Sequence, residues 1–195
     1  MNLNVLAVSS SRRPGSNERI ALEVVLQTAS EQGAQTRLLD LLETDLPMFS
    51  AHDRVDSDAS RAAEEAVNWA DVIILGTPDY HGSMSGAMKN FLDHFWSEFA
   101  GKLFGYVCTS HEKGLTVMDQ MRTVVRQCYG WSLPYGTSFN ASESFHDGVP
   151  DAALKNRLSM MGRDAAVYGN LLRTQFRADL HDENAQTFAA RYRAK

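Results

Sequence analysis

Cysteine is scarce: the 195 residues contain two, Cys108 and Cys128, and neither belongs to a CxxC pair. Two thiols exclude a disulfide framework and an iron–sulfur cluster. They read as packing residues in a reducing compartment, which predicts a cytoplasmic protein. Proline is also sparse, at five residues, and no repeat, low-complexity tract or linker interrupts the chain. One domain over residues 1–195 is therefore expected. No segment approaches the ~20 apolar residues of a membrane span. Met1-Asn2-Leu3-Asn4 enters a strand directly, without a basic region or long apolar run, so neither a membrane nor a signal peptide is expected. Charge of a single sign is missing too: 24 acids and 19 Lys or Arg are interspersed, for a net −5. Without a basic block or basic–aromatic alternation, no nucleic-acid partner is expected. The six histidines (His52, His81, His94, His111, His146, His181) form no HxH or HxxxH pair, so no metal site is expected, and no Ser/His/Asp set stands at catalytic spacing.

What is present is the composition of an ordinary globule, 44% hydrophobic and 22% charged. The chain is organised around residues 70–96. Val72-Ile73-Ile74-Leu75 reads as a strand buried on both faces, stopping at Gly76-Thr77-Pro78. A small-residue loop follows, Asp79-Tyr80-His81-Gly82-Ser83-Met84-Ser85-Gly86. From Ala87 a helix carries Met88, Phe91, Leu92, Phe95, Trp96 and Phe99 on one face.

The remaining elements alternate. A first strand over 3–8 ends in Ser9-Ser10-Ser11-Arg12-Arg13-Pro14-Gly15-Ser16-Asn17, and a helix follows with Ile20, Ala21, Val24, Val25 and Thr28 on its buried side. Ser16 or Asn17 is its N-cap. A hydroxyl-rich turn with an arginine at a helix N-terminus suits a phosphate, since backbone N–H groups, the helix dipole and a guanidinium all face the anion. The second strand is expected over 36–39. An irregular stretch, 40–57, is anchored by Leu46-Pro47-Met48-Phe49, with Asp53, Arg54, Asp56 and Asp58 as a solvated loop. A helix from Asp58 or Ser60 to Trp69 has a small face of Ala62, Ala63, Ala66 and Val67. The fourth strand spans 102–109, a helix 115–129, and the fifth strand 134–139. A long helix from Pro150 to about Arg173 contains Gly162 and Gly169, which allow close packing or a kink, and a short helix lies near 184–193. Strands alternating with helices predict an α/β fold, a parallel sheet with helices on both faces.

Residues 77–90 resemble the loop TPxYxGSxSGxLKN of the NADPH-dependent FMN reductase family, flavodoxin-like flavoproteins. Residues 9–18 resemble that family's phosphate loop, SGSxRxxSxN, with Ser11, Arg13 and Ser16 on its Ser, Arg and Ser. Ser10 stands where the first glycine usually is, and Glu18 where the asparagine is. The resemblance implies the flavodoxin-like strand order 2-1-3-4-5, whose switch point between the first and third strands would bring both loops together.

It further implies FMN as cofactor and NADPH, or NADH, as donor, with a hydride passed through the flavin to a small acceptor by a ping-pong cycle. The acceptor could be a flavin, a quinone, an azo compound or a metal oxyanion. FMN would be held by Ser9, Ser11, Arg13, Ser16, Asn17, Pro78, Asp79, Tyr80, His81, Gly82, Ser83 and Ser110. No catalytic acid is required, because the chemistry is the flavin's. Tyr80 would wall the ring or stack on nicotinamide, with a core tyrosine as the alternative. His81 would act through its backbone or tune the ring. Backbone amides near His81 to Ser83 would stabilise charge on the ring. Lys89 and Asn90 would buttress the loop. Relatives carry SxGxxGG after the fourth strand, whereas this chain has Ser110-His111-Glu112-Lys113-Gly114-Leu115-Thr116, which changes the expected ring contact. A homodimer or homotetramer through the aromatic helix is implied. The competing readings are a non-enzymatic flavodoxin-like electron carrier, disfavoured by the absence of a TxTGxT loop and of a strongly acidic surface, and a cofactor-free scaffold.

Overall fold

In a computed structural model that describes residues 3–53, 55–183 and 186–192, strands and helices alternate along the chain. The strands are β1 (Asn4–Ser9), β2 (Gln35–Asp40), β3 (Val72–Tyr80), β4 (Ser83–Met84), β5 (Leu103–Thr109), β6 (Trp131–Ser132), β7 (Thr137–Phe139), β8 (Phe145–His146) and β9 (Val149–Pro150). The helices are α1 (Asn17–Glu31), α2 (Asp58–Trp69), α3 (Gly86–Asp93), α4 (Leu115–Gln127), α5 (Ala141–Ser144) and α6 (Ala152–His181), with 3₁₀ turns at Ser97–Phe99 and Phe188–Tyr192. The parallel sheet runs β2-β1-β3-β5, and β6 and β7 share the next position beside β5. This is the expected flavodoxin-like order.

Alternation along each strand divides the core in two. Leu6, Val8, Ile73, Leu75, Phe104 and Tyr106 face α2, α3 and α4. Val5, Ala7, Val72, Ile74, Leu103 and Val107 face α1 and α6. Strands buried on both faces read as continuous apolar runs, which is why the sequence exposed them.

Several expectations are corrected. The central strand does not stop at Gly76: it continues to Tyr80, because β5 pairs it as far as Pro78 and β4 then pairs Asp79 and Tyr80. Pro78 is tolerated because β1 has already ended opposite Gly76, leaving that side without a ladder partner. The helix after it ends at Asp93, and Trp96 is 66% exposed rather than buried. Phe95 and Phe99 remain buried, since the 3₁₀ turn brings them round into a chain of ring contacts: Phe91–Phe95 5.1 Å, Phe95–Phe99 5.6 Å and Phe99–Phe104 5.2 Å between centroids. The fifth strand is split around Leu133-Pro134-Tyr135-Gly136, where proline cannot donate to a ladder. Ala62 is exposed, and the buried face of α2 is Ser60, Ala63, Ala66 and Val67. On α1 the fully buried apolar side chains are Ala21, Leu22, Val25, Leu26 and Ala29, with Ile20, Val24 and Thr28 only half-buried. Leu46 packs on the core, but Met48 is 80% exposed. α6 continues to His181, past the expected end at Arg173. Met1, Asn2, Arg54, Asn184 and Arg193, which figure in expectations above, lie outside the described residues.

The two glycines of α6 serve close packing. A Cβ on Gly162 would stand 2.3 Å from the Val25 carbonyl oxygen of α1, and one on Gly169 would stand 2.3 Å from Val72 Cγ2. Both cysteines are free and buried, as packing residues are. No described helix is long and apolar enough to cross a membrane.

Candidate functional site

At the carboxyl edge of the sheet, where β1 and β3 lie side by side, a cavity of about 520 Å³ opens. Ser11, Arg13, Ser16, Asn17 and Glu18 line it from the β1–α1 turn, and Pro78, Asp79 and Tyr80 from the end of β3. Thr109, Ser110 and His111 follow β5, and Asn140, Ala141 and Ser142 follow β7. Eight of the residues selected from sequence therefore meet here: Ser11, Arg13, Ser16, Asn17, Pro78, Asp79, Tyr80 and Ser110. Ser9 lies buried just beneath, at the end of β1, and His81, Gly82 and Ser83 form the adjoining turn.

The β1–α1 turn is arranged as an anion cradle. Ser16 N-caps α1, its hydroxyl accepting the Arg19 N–H at 3.2 Å, so the remaining N–H groups of the first turn point outward. The arginines divide their labour. Arg12 pairs with Asp45 at 2.7 Å, and Arg19 with Asp40 at 2.7 Å and also with Glu43 and Glu23. The Arg13 guanidinium has no hydrogen bond or ion pair among the described residues. Its charge remains available to the cavity.

Ser10, the departure from the family's glycine, has a structural task. Its hydroxyl donates to the Gly76 carbonyl at 2.8 Å and accepts from the Ser85 hydroxyl at 2.9 Å. Ser85 in turn N-caps α3 through the Met88 N–H and donates its own N–H to Thr77 Oγ1 at 2.9 Å. These bonds tie the phosphate-type turn to the Tyr80 segment.

That segment is a hairpin rather than an open loop. His81 (φ 59°) and Gly82 (φ 73°) form a two-residue turn between Tyr80 and Ser83, the conformation that suits a tight hairpin. Asp79 braces it, accepting the Gly82 N–H at 2.8 Å with one oxygen and the Ser110 hydroxyl at 2.8 Å with the other. The Gly82 amide is thereby engaged. Gln120 of α4 holds the far side, accepting the Met84 N–H at 3.2 Å and donating to Ser83 Oγ at 3.2 Å. Tyr80 is 56% exposed, which removes the core-tyrosine alternative. Asn90 buttresses a neighbouring segment: its carbonyl accepts the Phe49 N–H at 2.8 Å and its amide donates to the Pro47 carbonyl at 3.0 Å. Lys89 pairs with Asp93 on the helix surface.

Three buried polar atoms around the cavity have no partner: Ser9 Oγ, Thr109 Oγ1 and Glu18 Oε2. Buried polar groups are normally paired, so this cluster is placed to receive polar atoms of a ligand or of ordered water. Glu18 is 2% exposed, and Oε1 accepts the Ser10 N–H at 2.9 Å. Burial pushes its carboxyl up to about 7, against the lowering effect of the Ser10 N–H. Because the folded value exceeds the unfolded one, the stability this group contributes is present below its ordinary range and lost as pH rises to about 7.

The sequence did not select Thr109, His111, Asn140, Ala141, Ser142 or Gln120. The three residues after β7 carry no recognisable pattern, and Gln120 acts from the middle of an amphipathic helix. Glu18 was visible as a departure from the motif, but not as a buried acid. Among the described residues no group of three or more His, Cys, Asp or Glu is placed to hold a metal ion.

The chain matches the family model described as NADPH-dependent FMN reductase over residues 3–145. It is 31% identical over 101 residues to the NADPH azoreductase of Bacillus sp. (strain OY1-2), covering 50% of this chain and 57% of that protein. It is 32% identical over 94 residues to the FMN-dependent NADPH-azoreductase of Staphylococcus haemolyticus (strain JCSC1435), covering 47% and 48% respectively. The matched segment is about half the length of these curated relatives. Among solved structures, the apo form of the NADH:FMN oxidoreductase EMOB superposes with a TM-score of 0.74 at 19% identity, covering 86% of this chain and 90% of that one. FerB, a flavoenzyme NAD(P)H:(acceptor) oxidoreductase from Paracoccus denitrificans, superposes with a TM-score of 0.69 at 18% identity, covering 87% and 98%. At those identities the superpositions show the fold.

Proposed function

The chain belongs to the NADPH-dependent FMN reductase family, and from that premise we propose that it is a single-domain, cytoplasmic NAD(P)H oxidoreductase. FMN would be its cofactor, and a small molecule its acceptor. The observation that carries this reading is the convergence, at the switch point between β1 and β3, of an uncommitted Arg13, three partnerless buried polar atoms and an exposed Tyr80 around one cavity. These residues fit FMN. Ser11, Arg13, Ser16 and the first amides of α1 would hold the phosphate, while Pro78, Asp79, Tyr80, Ser110 and the turn at His81 and Gly82 would border the ring. When bound, FMN supplies hydride acceptance and donation, so that donor and acceptor react in turn, a ping-pong scheme.

The chain's own contribution is positional. Asp79 and Gln120 fix the hairpin, Ser10 and Ser85 fix its distance from the phosphate turn, and Tyr80 offers an exposed aromatic face on which a nicotinamide or a planar acceptor would stack. Azo compounds stand among the acceptors because the similar Bacillus and Staphylococcus proteins are named azoreductases. Flavins, quinones and metal oxyanions share the requirement for an open ring face.

The test is an anaerobic stopped-flow experiment on FMN-loaded protein, mixed first with NADPH and then with NADH, following the flavin absorbance. Bleaching with the donor, reversed by an azo dye or quinone, is the expected result. Tight FMN binding without bleaching would overturn the reductase reading in favour of an electron carrier, and absence of FMN uptake would favour the scaffold. Tyr80→Ala is expected to leave FMN affinity within about threefold while lowering turnover with NADPH about tenfold, the scale of one lost stacking contact. A loss of stability with unchanged turnover would refute that role.

We also propose a homodimer or homotetramer. Trp96 and Met48, both near the aromatic helix in the chain's packing and largely exposed, support it. Sedimentation equilibrium should give at least twice the monomer mass, and a monomer at micromolar concentration would overturn it.

A further inference from the structure

Glu18 poses an electrostatic conflict in this site. It lies in the first turn of α1, and its side chain lines the same cavity as Ser11, Arg13 and Ser16. Oε1 is occupied by the Ser10 N–H, while Oε2 is buried and has no partner. A Cβ on Gly76 would stand 2.9 Å from Oε1, so the carboxyl is packed closely between the strand and the turn. The family motif carries a neutral asparagine here. An ionised carboxylate beside a phosphomonoester, which itself bears nearly two negative charges, would be repelled by it.

We propose that Glu18 makes cofactor retention proton-linked: its carboxyl carries a proton while the FMN phosphate occupies the turn and gives it up when the phosphate leaves, so that alkaline conditions favour release. The inference rests on the reading of the cavity as the FMN site. The balance is simple. Above neutrality the free protein has Glu18 ionised, so loading takes one proton from solvent and release returns it. Burial raises the carboxyl to about 7, and an adjacent phosphate raises it further.

The surrounding charges do not supply the same behaviour. Arg13 faces the cavity from the turn, and arginine does not deprotonate in this range. Arg19, on the same helix, is tied to Asp40, Glu23 and Glu43. Asp40, from β2, adds to the upward push on Glu18. Asp79, at the end of β3, is held by Gly82 and Ser110. Cys108, on β5, is pushed up to about 12 by burial and stays a thiol. The segment after β7 presents only uncharged Asn140, Ala141 and Ser142. His111, after β5, is the one lining group of a type that titrates near neutrality, and it needs its own control.

The experiment measures FMN and riboflavin affinity by fluorescence quenching between about pH 6.5 and 8.5, in phosphate-free buffers. Proton uptake on FMN binding is measured by calorimetry in two buffers of different ionisation enthalpy. For the wild-type protein, FMN affinity should fall about tenfold or more from neutrality to the alkaline end, with close to one proton taken up, while riboflavin shows no slope. The phosphate's own second ionisation, near 6, is nearly complete from neutrality upward and gives little slope there. Glu18→Gln, which keeps the acceptor for Ser10 and lacks the charge, should bind FMN with a flat profile and no uptake. His111→Gln should keep the slope. A flat wild-type profile with no proton uptake, or a slope that survives Glu18→Gln, overturns the proposal while leaving the FMN site standing. FMN bound no more tightly than riboflavin at every pH would overturn the site itself. The wild-type calorimetry decides the matter even where a variant fails to fold.

Discussion

Arg13→Ala is expected to weaken FMN binding about ten- to hundredfold, the roughly 1.5–3 kcal/mol of a hydrogen bond to a charged group. The argument is one of availability. Of the arginines at the β1–α1 turn, Arg12 is paired with Asp45 and Arg19 with three acids, so a phosphate would have to compete for either. Arg13 lines the cavity without such a partner among the described residues. Its guanidinium offers the planar fork that matches phosphate oxygens. Arg12→Ala is therefore the internal control and should change FMN affinity by less than about threefold, as exposed ion pairs contribute little. Riboflavin, which lacks the phosphate, should bind both variants alike. Equal effects of the two substitutions, or no effect of Arg13→Ala, would remove the phosphate assignment.

Gly162→Val should lower stability by about 2–3 kcal/mol, read as a drop in the urea midpoint of unfolding with little change in slope. A single Cβ at this position would already stand 2.3 Å from the Val25 carbonyl oxygen, 2.9 Å from Thr28 Cβ and 3.2 Å from the Ala29 nitrogen. Two of those three neighbours are backbone of α1, which cannot rotate away. Relief would require the helices to separate, unpacking Leu158, Met161 and Ala165 from the core they share with Ala21, Val25 and Ala29. Met160, on the same helix but 47% exposed, provides the comparison: Met160→Ala should fall within about 0.5 kcal/mol of the wild type. If Gly162→Val proved equally silent, the close approach would not be holding the helices together.

The two kinds of prediction draw on different sources. Arg13 could be singled out from the sequence, because a serine-rich turn before a helix N-terminus has a physical meaning at any depth of knowledge about the fold. Choosing it over Arg12 and Arg19 required knowing where Asp45, Asp40 and Glu43 lie, and those acids are 21 to 33 residues away along the chain. Gly162 could be noticed as an unusual residue in a helical pattern, but packing and kinking remained equal alternatives until α1 was seen against it. Glu18 illustrates the opposite limit. By sequence it is a departure from the motif and an acid in a first helical turn, where acids are favoured by the helix dipole. In the fold it is a buried carboxyl with one oxygen left over.

What the sequence determined by itself was everything encoded at short range. Apolar runs marked the strands buried on both faces, the 3.6 period marked the helices, and Ser16 was legible as a candidate to begin the first of them. The motifs on residues 9–18 and 77–90 identified the family and the cofactor class, because the conformations needed to hold a phosphate and a ring are built from consecutive residues. Tertiary structure decided what depends on partners distant in the chain. It extended β3 to Tyr80 by supplying β5 and β4 as ladders, turned Trp96 outward while keeping Phe95 and Phe99 in, and split the last strand at Pro134. It also set the charge states in the site. A side chain's desolvation and its neighbours' charges depend on where the whole chain places it, and no local pattern records that.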